Sequence, residues 1–221
     1  MIKGLIDSYF ANHYGLGRLV LIEEAQTAEK RFDLKDDDGA KIVDYGNGYA
    51  SFDNDNENEI AVLDYEGYID KYTGTKFYNG RGKCDCIIES EVGKTLILDE
   101  ITSSTSGIEN LTKPINGRKK YVGGKFEKVE HQLHDSLQTL IEVPEIASYV
   151  NTLSKKICLC SYTLYSSDVM SLIGDPVSAF NLGQKEVERQ VGENGAKISC
   201  PPIEALGFEF RRISHSFTFS I

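Results

Sequence analysis

Residues 83–102 read KCDCIIESEVGKTLILDEIT. Two short apolar runs, 84–88 and 95–101, flank a polar turn containing Gly93, which is the pattern of a β-hairpin. Each run carries an acid, Asp85 in the first and Glu100 in the second. A carboxylate inside an apolar strand is costly unless it is paired or holds a metal. Strand alternation puts Leu96, Leu98, Glu100 and Thr102 on one face, and Ile97, Asp99 and Ile101 on the other. Asp85 shares a face with Ile87. Asp85 and Glu100 are therefore expected to converge on one divalent cation. Two carboxylates on adjacent strands, with backbone oxygens between them, suit Mg²⁺. A metal held there would activate water and neutralise charge during phosphodiester hydrolysis.

The remaining composition constrains the setting. At 221 residues the chain suits one domain, or one domain with an appendage. No run approaches the roughly 20 apolar residues of a membrane span, and the first ten residues are too polar for a signal peptide. The expectation is a cytoplasmic protein with no membrane partner. The net charge of −10 is local: residues 33–70 hold 12 acids and 2 bases, and the rest of the chain is balanced at 22 against 22. Residues 71–128 hold 11 bases and 7 acids, so a nucleic-acid surface is compatible with the acidic total. The five cysteines (Cys84, Cys86, Cys158, Cys160, Cys200) are odd in number, which argues against a disulfide scaffold. Both Cys-x-Cys pairs lie in apolar runs and read as core thiols sharing a strand face, with a zinc site as the alternative.

Along the chain, residues 2–14 have helical spacing, and 17–32 read as a second helix or a strand running into one. Residues 33–59, rich in Gly, Asp and Asn, read as a solvated acidic loop with weak strands at 41–45 and 48–52. Its DNDNENE run lacks EF-hand spacing. Strands are expected at 60–65 and 67–72, and a long polar loop at 103–123 carries Arg118, Lys119 and Lys120. Phe126, Val129, Leu133, Leu137, Leu140 and Ile141 mark the clearest helix, at 124–142. A helix at 145–154, a buried strand at 156–165, a helix at 176–190 and strands at 205–211 and 214–221 complete the order. That order describes an α/β protein with a mixed central β-sheet flanked by helices. The expected division is residues 1–70, a helical part with the acidic segment, and 71–221, the core.

The sequence Asp85, a turn, Leu-Asp-Glu100-Ile-Thr102 and then an amphipathic helix bearing Gln132 resembles the PD-(D/E)xK restriction-endonuclease-like superfamily. That pattern is an Asp, a gap, and Glu-x-Lys on the next strand. The resemblance covers about residues 83–165 and implies a four-stranded mixed sheet flanked by helices. It also implies Mg²⁺ or Mn²⁺ on Asp85 and Glu100, with Gln132 facing the site. The family's Lys falls on Thr102, which supplies no positive charge. Either Lys125 or Lys128, on the helix that carries Gln132, takes over that charge, or catalysis is lost.

Two readings follow. In the first, the chain is a metal-dependent nuclease, or nuclease-like subunit, acting on DNA. Asp85 and Glu100 hold metal, Lys128 or Lys125 steadies phosphate, Gln132 orients water or metal, and Arg118, Lys119 and Lys120 grip backbone. The resemblance places such a subunit in a bacterial anti-phage defence complex, beside a protein partner such as an ATPase or helicase. In the second, the fold is a non-catalytic scaffold or adaptor binding a protein through its acidic segment. His131 and His134, spaced i, i+3, and the Glu23–Glu24 pair are lesser candidates. Gly192–Gly195 is a turn, no phosphate-loop motif occurs, and Cys200 has no base partner in the sequence.

Overall fold

The computed structural model describes residues 1–78, 81–102, 111–115, 118–122, 125–163 and 194–221, with the side chains of 111–125 excepted. The chain opens with a short helical segment, α1 (Ile2–Leu5), which continues as a π-helical turn (Ile6–Phe10) and α2 (Ala11–His13). Next come β1 (Glu24–Thr27), β2 (Arg31–Asp36), β3 (Ala40–Asp44), β4 (Ala50–Asp53) and β5 (Ile60–Asp64). Helix α3 (Tyr65–Asp70) leads to the hairpin β6 (Cys86–Ser90) and β7 (Thr95–Thr102), then to a second hairpin, β8 (Leu111–Ile115) and β9 (Arg118–Val122). Helices α4 (Lys125–Ile141) and α5 (Pro144–Val150) precede β10 (Lys155–Tyr162). The C-terminal part holds β11 (Ala196–Ile198), α6 (Pro201–Ala205), β12 (Glu209–Ser214) and β13 (Thr218–Ser220).

Seven strands form one mixed sheet in the order β1-β5-β6-β7-β10-β12-β11. Neighbours from β1 to β7 are antiparallel, while β10 runs parallel to β7, and β12 to β10. A four-stranded sheet, β13-β4-β2-β3, covers one face. The expected α/β class with a mixed sheet flanked by helices is what the fold displays. The large sheet takes β1 and β5 from before residue 70 and its other strands from after it.

Alternation assigns the two cores. Ile87, Leu96, Leu98, Cys158 and Phe210 pack against Ile6, Phe10, Leu133, Leu137 and Ile146 of the helices. Cys86, Ile88, Ile97 and Leu159 pack against Phe32, Leu34, Phe52 and Phe219 of the small sheet. The expected hairpin and the stripe of α4 fall into place on this pattern. All five cysteines are buried and none forms a disulfide. Cys84 and Cys86 serve opposite cores, because β6 begins only at Cys86 and Cys84 lies outside its alternation.

Several expectations need correction. Residues 67–72 were expected as a strand, but helix α3 occupies Tyr65–Asp70; Asp64 caps it by accepting from the Gly67 amide at 3.1 Å. Residues 33–59 are not a solvated loop, although the weak strands expected at 41–45 and 48–52 fall on β3 and β4. They supply most of β2, all of β3 and all of β4, whose inward Leu34 and Phe52, with Phe32 beside them, are fully buried; Asp33 is buried too, accepting from the Gly46 and Gly48 amides at 2.9 and 2.8 Å, while the other acids lie at strand ends or between strands. Residues 17–32 contribute β1 and the start of β2 rather than a helix. The 103–123 loop contains the β8–β9 hairpin. Helix α6 precedes a later β12 than the expected strand at 205–211. The helix expected at 176–190 lies outside the described residues.

Candidate metal centre

The open end of the β6–β7 hairpin is finished by Asp85. Cys86 pairs with Asp99, so one further step along the register sets Asp85 opposite Glu100. Asp85 itself precedes β6 in a bend. Its carbonyl accepts from the Tyr65 and Glu66 amides at 3.1 Å each, and its Oδ2 accepts from the Ile101 amide at 2.6 Å. A side-chain carboxylate thus takes the place of a strand carbonyl, and the ladder ends there.

The irregular segment before Asp85 finds its partners on α4. Arg81 donates to Thr139 Oγ1 at 3.0 Å, the Gly82 amide to Asp135 Oδ2 at 2.9 Å, and the Cys84 amide to Ser136 Oγ at 2.7 Å. Gln132 Nε2 donates to the Lys83 carbonyl at 3.0 Å. Positions 132, 135, 136 and 139 form one helix face, which replaces a neighbouring strand. The approach is close: a Cβ on Gly82 would stand 2.9 Å from Gln132 Cα.

Three carboxylates gather at this end. Asp36 at the end of β2, Glu66 in the first turn of α3 and Asp85 each place an oxygen within 4.8 Å of the others. Glu100 is 7% exposed, and its Oε2 is buried with no hydrogen-bond partner among the described residues. Burial pushes the Glu100 carboxyl far above the usual range, and repulsion from Asp85 and Glu66 adds to it, against an opposing pull from Lys128. Burial likewise raises Asp85, opposed by the Ile101 amide and reinforced by Asp36, Glu66 and Asp99. Asp36 is raised by burial and by Glu66 and Asp64. Asp99 is fully buried on the small-sheet face, 2.9 Å from the Ser161 hydroxyl, and burial lifts it to about 7. Burial is the first cause of each of these shifts, and repulsion among neighbouring acids adds to it at Asp36, Asp85 and Glu100.

The nearest described cation is Lys83. Its Nζ lies 3.0 Å from Glu66 Oε1 and also contacts Asp70. Burial alone lowers this ammonium, but the hydrogen bonds to Asp70 and Glu66 outweigh it and hold it above its ordinary value. No described ion pair reaches Asp36, Asp85 or Glu100.

The residues singled out from sequence separate into groups. Asp85 and Glu100 stand opposite one another in register, while the acids grouped within 4.8 Å of Asp85 are Asp36 and Glu66. Gln132 lies alongside, but its amide nitrogen is bound to the Lys83 carbonyl, and its Oε1 is buried without a described partner. Lys128 is exposed and within electrostatic reach of Glu100. The side chains of Lys125, Arg118, Lys119 and Lys120 lie outside the described residues; the last three occupy β9, in the connection that leaves β7 just past Glu100. His131 is exposed, and His134 Nδ1 sits 3.5 Å from Asp135. Neither joins the acidic cluster. Glu23 pairs with Lys71 at 2.7 Å, and both Glu23 and Glu24 line a cleft of about 580 Å³ between β1 and β3 that no member of the trio lines.

Asp36, Glu66 and Lys83 escaped the sequence reading. Asp36 sat in a segment read as loop, and Glu66 fell where α3 was mistaken for turn and strand. Arg212 on β12 was also missed. It shares the helix face with Glu100, across Cys160 of β10. Its guanidinium donates to Glu130 Oε1 at 2.6 Å and lies 4.2 Å over Phe126, while its Nε has no described partner. Of the buried polar atoms without described partners, those of Glu100, Glu127, Gln132, Thr163 and Arg212 belong to the ends of β7, β10 and β12 or the first turns of α4; Asp33 is the exception. Such atoms are few in folded proteins, and their collection at one end of the sheet marks a polar site. No family model matches the chain, and no curated protein or solved structure matches it.

Proposed function

We propose that this chain is a divalent-metal-dependent nuclease, or the nuclease-like subunit of a larger complex, acting on phosphodiester bonds of DNA. The observation that carries the reading is the Asp85–Glu100 pair: two buried acids opposite one another at a hairpin end, one with an unpartnered oxygen. That orphaned oxygen is what a cation ligand needs, so the donors fit a hard ion such as Mg²⁺ or Mn²⁺. A bound ion would supply activation of water and stabilisation of charge on the phosphate. Asp85 and Glu100 would hold it, with Lys128 at the exposed rim steadying the phosphate. Arg118, Lys119 and Lys120 would contact the DNA backbone from β9.

Topology supports the restriction-endonuclease-like resemblance without deciding it. The antiparallel run β5-β6-β7, then helix α4, then β10 parallel to β7, gives four neighbouring strands of mixed sense within the seven-stranded sheet. The defence complex, with an ATPase or helicase as partner, rests on that resemblance alone.

A scaffold reading is favoured by a different observation. Asp85 and Gln132 each bind backbone, which is structural work that survives loss of catalysis. Plasmid and single-stranded DNA incubated with Mg²⁺ or Mn²⁺ decide between them. The nuclease reading expects cleavage that Glu100→Gln abolishes. Cleavage unaffected by that substitution removes the site, and no cleavage by wild type, with a co-purifying protein bound, favours the scaffold.

A further inference from the structure

We propose that Asp36 and Glu66 are cation ligands alongside Asp85, so that one hard divalent cation fastens the small sheet to the large one. The proposal rests on the cation site named above, but not on DNA cleavage. Asp36 belongs to β2 of the small sheet, Glu66 to the first turn of α3, and Asp85 to the entry into β6 of the large sheet. Their oxygens lie within 4.8 Å of one another, although they come from three separate elements. A second, independent observation points to a ligand. Glu100 is 7% exposed, its Oε2 lacks a described partner, and it stands opposite Asp85, one step beyond the Cys86–Asp99 pair.

The surrounding framework is built to hold these acids at close range. The Asp64 carboxylate lies against the β2–β3 turn, where a Cβ on Gly39 would stand 2.9 Å from its Oδ2. Asp64 also caps α3 through the Gly67 amide, which orients the turn carrying Glu66. The Asp85 carbonyl receives the Tyr65 and Glu66 amides, so Glu66 and Asp85 are fixed to each other through backbone. Asp36 is the member brought in from the other sheet. Lys83 offsets part of the charge on Glu66 but is shared with Asp70. The remaining negative charge is matched by a cation with oxygen ligands, and Mg²⁺, Mn²⁺ and Ca²⁺ are that class.

The consequence is regulatory. With a cation bound, the β2–β3 hairpin is held against α3 and the β6 entry. Without it, like charges push that hairpin away.

The test uses the full chain, stripped with EDTA and then given Mg²⁺ or Mn²⁺ alone. Thermal melting is expected to rise by roughly 5 °C at saturating cation. Hydrogen exchange is expected to slow selectively at residues 31–44 and 64–70. Asp36→Asn and, separately, Glu66→Gln are expected to melt higher than wild type in EDTA, since each removes a repelling charge, and to lose most of the cation response. Wild-type exchange needs no variant and stands if either substitution fails to fold. No cation-dependent shift in wild type overturns the proposal, as does a full response in Asp36→Asn or slowing spread evenly over the chain. Failure to cut DNA with the cation response intact removes the nuclease reading and leaves this one standing.

Discussion

Two glutamates occupy the same face of the β6–β7 hairpin, one at each end, and their surroundings are opposite. Glu89 is 2% exposed and fully supplied with donors. It accepts from the Ile2 amide at 2.9 and 3.1 Å and from the Tyr149 hydroxyl at 2.6 Å. It therefore ties α1 and α5 to the sheet. Glu100 is about as buried, yet one of its oxygens has no described partner and its neighbours are acids. Both carboxylates lose hydration on burial. Donors offset that loss at Glu89, whereas at Glu100 the described opposition is the electrostatic pull of Lys128. The comparison teaches how to tell a structural buried acid from a poised one: the count of donors decides, not the depth.

Truncation gives the largest expected contrast. Glu89→Ala leaves the Ile2 amide and the Tyr149 hydroxyl without their acceptor, and is expected to cost about 4 kcal/mol in urea unfolding. Glu100→Gln relieves repulsion instead, and is expected to raise stability by about 1 kcal/mol in EDTA. If Glu100→Gln destabilises as Glu89→Ala does, the two ends are alike and the poised site is lost.

Asp99 extends the contrast to pH. Its pKa is raised to about 7 by burial, while an unfolded Asp titrates near about 4. Between those values the folded chain holds a proton that the unfolded chain has released. Stability contributed by Asp99 is thus full below about pH 4 and is lost as pH rises to about 7. Asp85 and Glu100 are raised in the same sense, by burial first. EDTA-treated protein is therefore expected to weaken from pH 5 to 8, by about 3 kcal/mol in urea titrations. Asp99→Asn is expected to flatten part of that slope. A stability that climbs over this range contradicts the uncompensated acids.

The backbone beneath the site gives a smaller effect. A Cβ on Gly67 would stand 2.1 Å from Asp64 Oδ2, the partner oxygen of the Oδ1 that caps α3. Gly67→Ala is expected to cost about 2 kcal/mol by displacing that cap and with it Glu66. An equally stable Gly67→Ala protein would mean that Asp64 does not hold the turn.

How much of this was readable beforehand differs between the same two regions. The hairpin and its acids were legible because strand periodicity is local: Leu96, Leu98 and Glu100 alternate with Ile97, Asp99 and Ile101 whatever surrounds them. Helix α4 was legible for the same reason, from its apolar stripe. In the small sheet β3 and β4 were legible as weak strands, but β2 was hidden because its buried Phe32 and Leu34 stand among aspartates that signal turns. Losing β2 meant losing Asp36. Glu66 was lost with α3, whose start is set by the Asp64 cap rather than by apolar spacing. The resemblance set Gln132 facing the site, but its bond to the Lys83 carbonyl was not legible, since it depends on an irregular segment that no period describes.

Lys128 provides the mirror image of Glu89 and the smallest expected effect on stability. It is exposed on the first turns of α4, yet its charge reaches Glu100. An exposed side chain without a described ion pair contributes little to folding, so Lys128→Ala is expected to change unfolding free energy by less than about 0.5 kcal/mol. If Lys128 steadies a phosphate beside the metal, the same substitution is expected to lower DNA cleavage at least about tenfold, which is about 1.4 kcal/mol of transition-state stabilisation. Glu89→Ala shifts folding and touches no reacting atom, whereas Lys128→Ala leaves folding alone and strikes the chemistry. Cleavage unchanged in Lys128→Ala would move the compensating positive charge elsewhere. Lys83 and Arg212 are then the described candidates, and Lys83→Met against Arg212→Met in the same cleavage assay separates them.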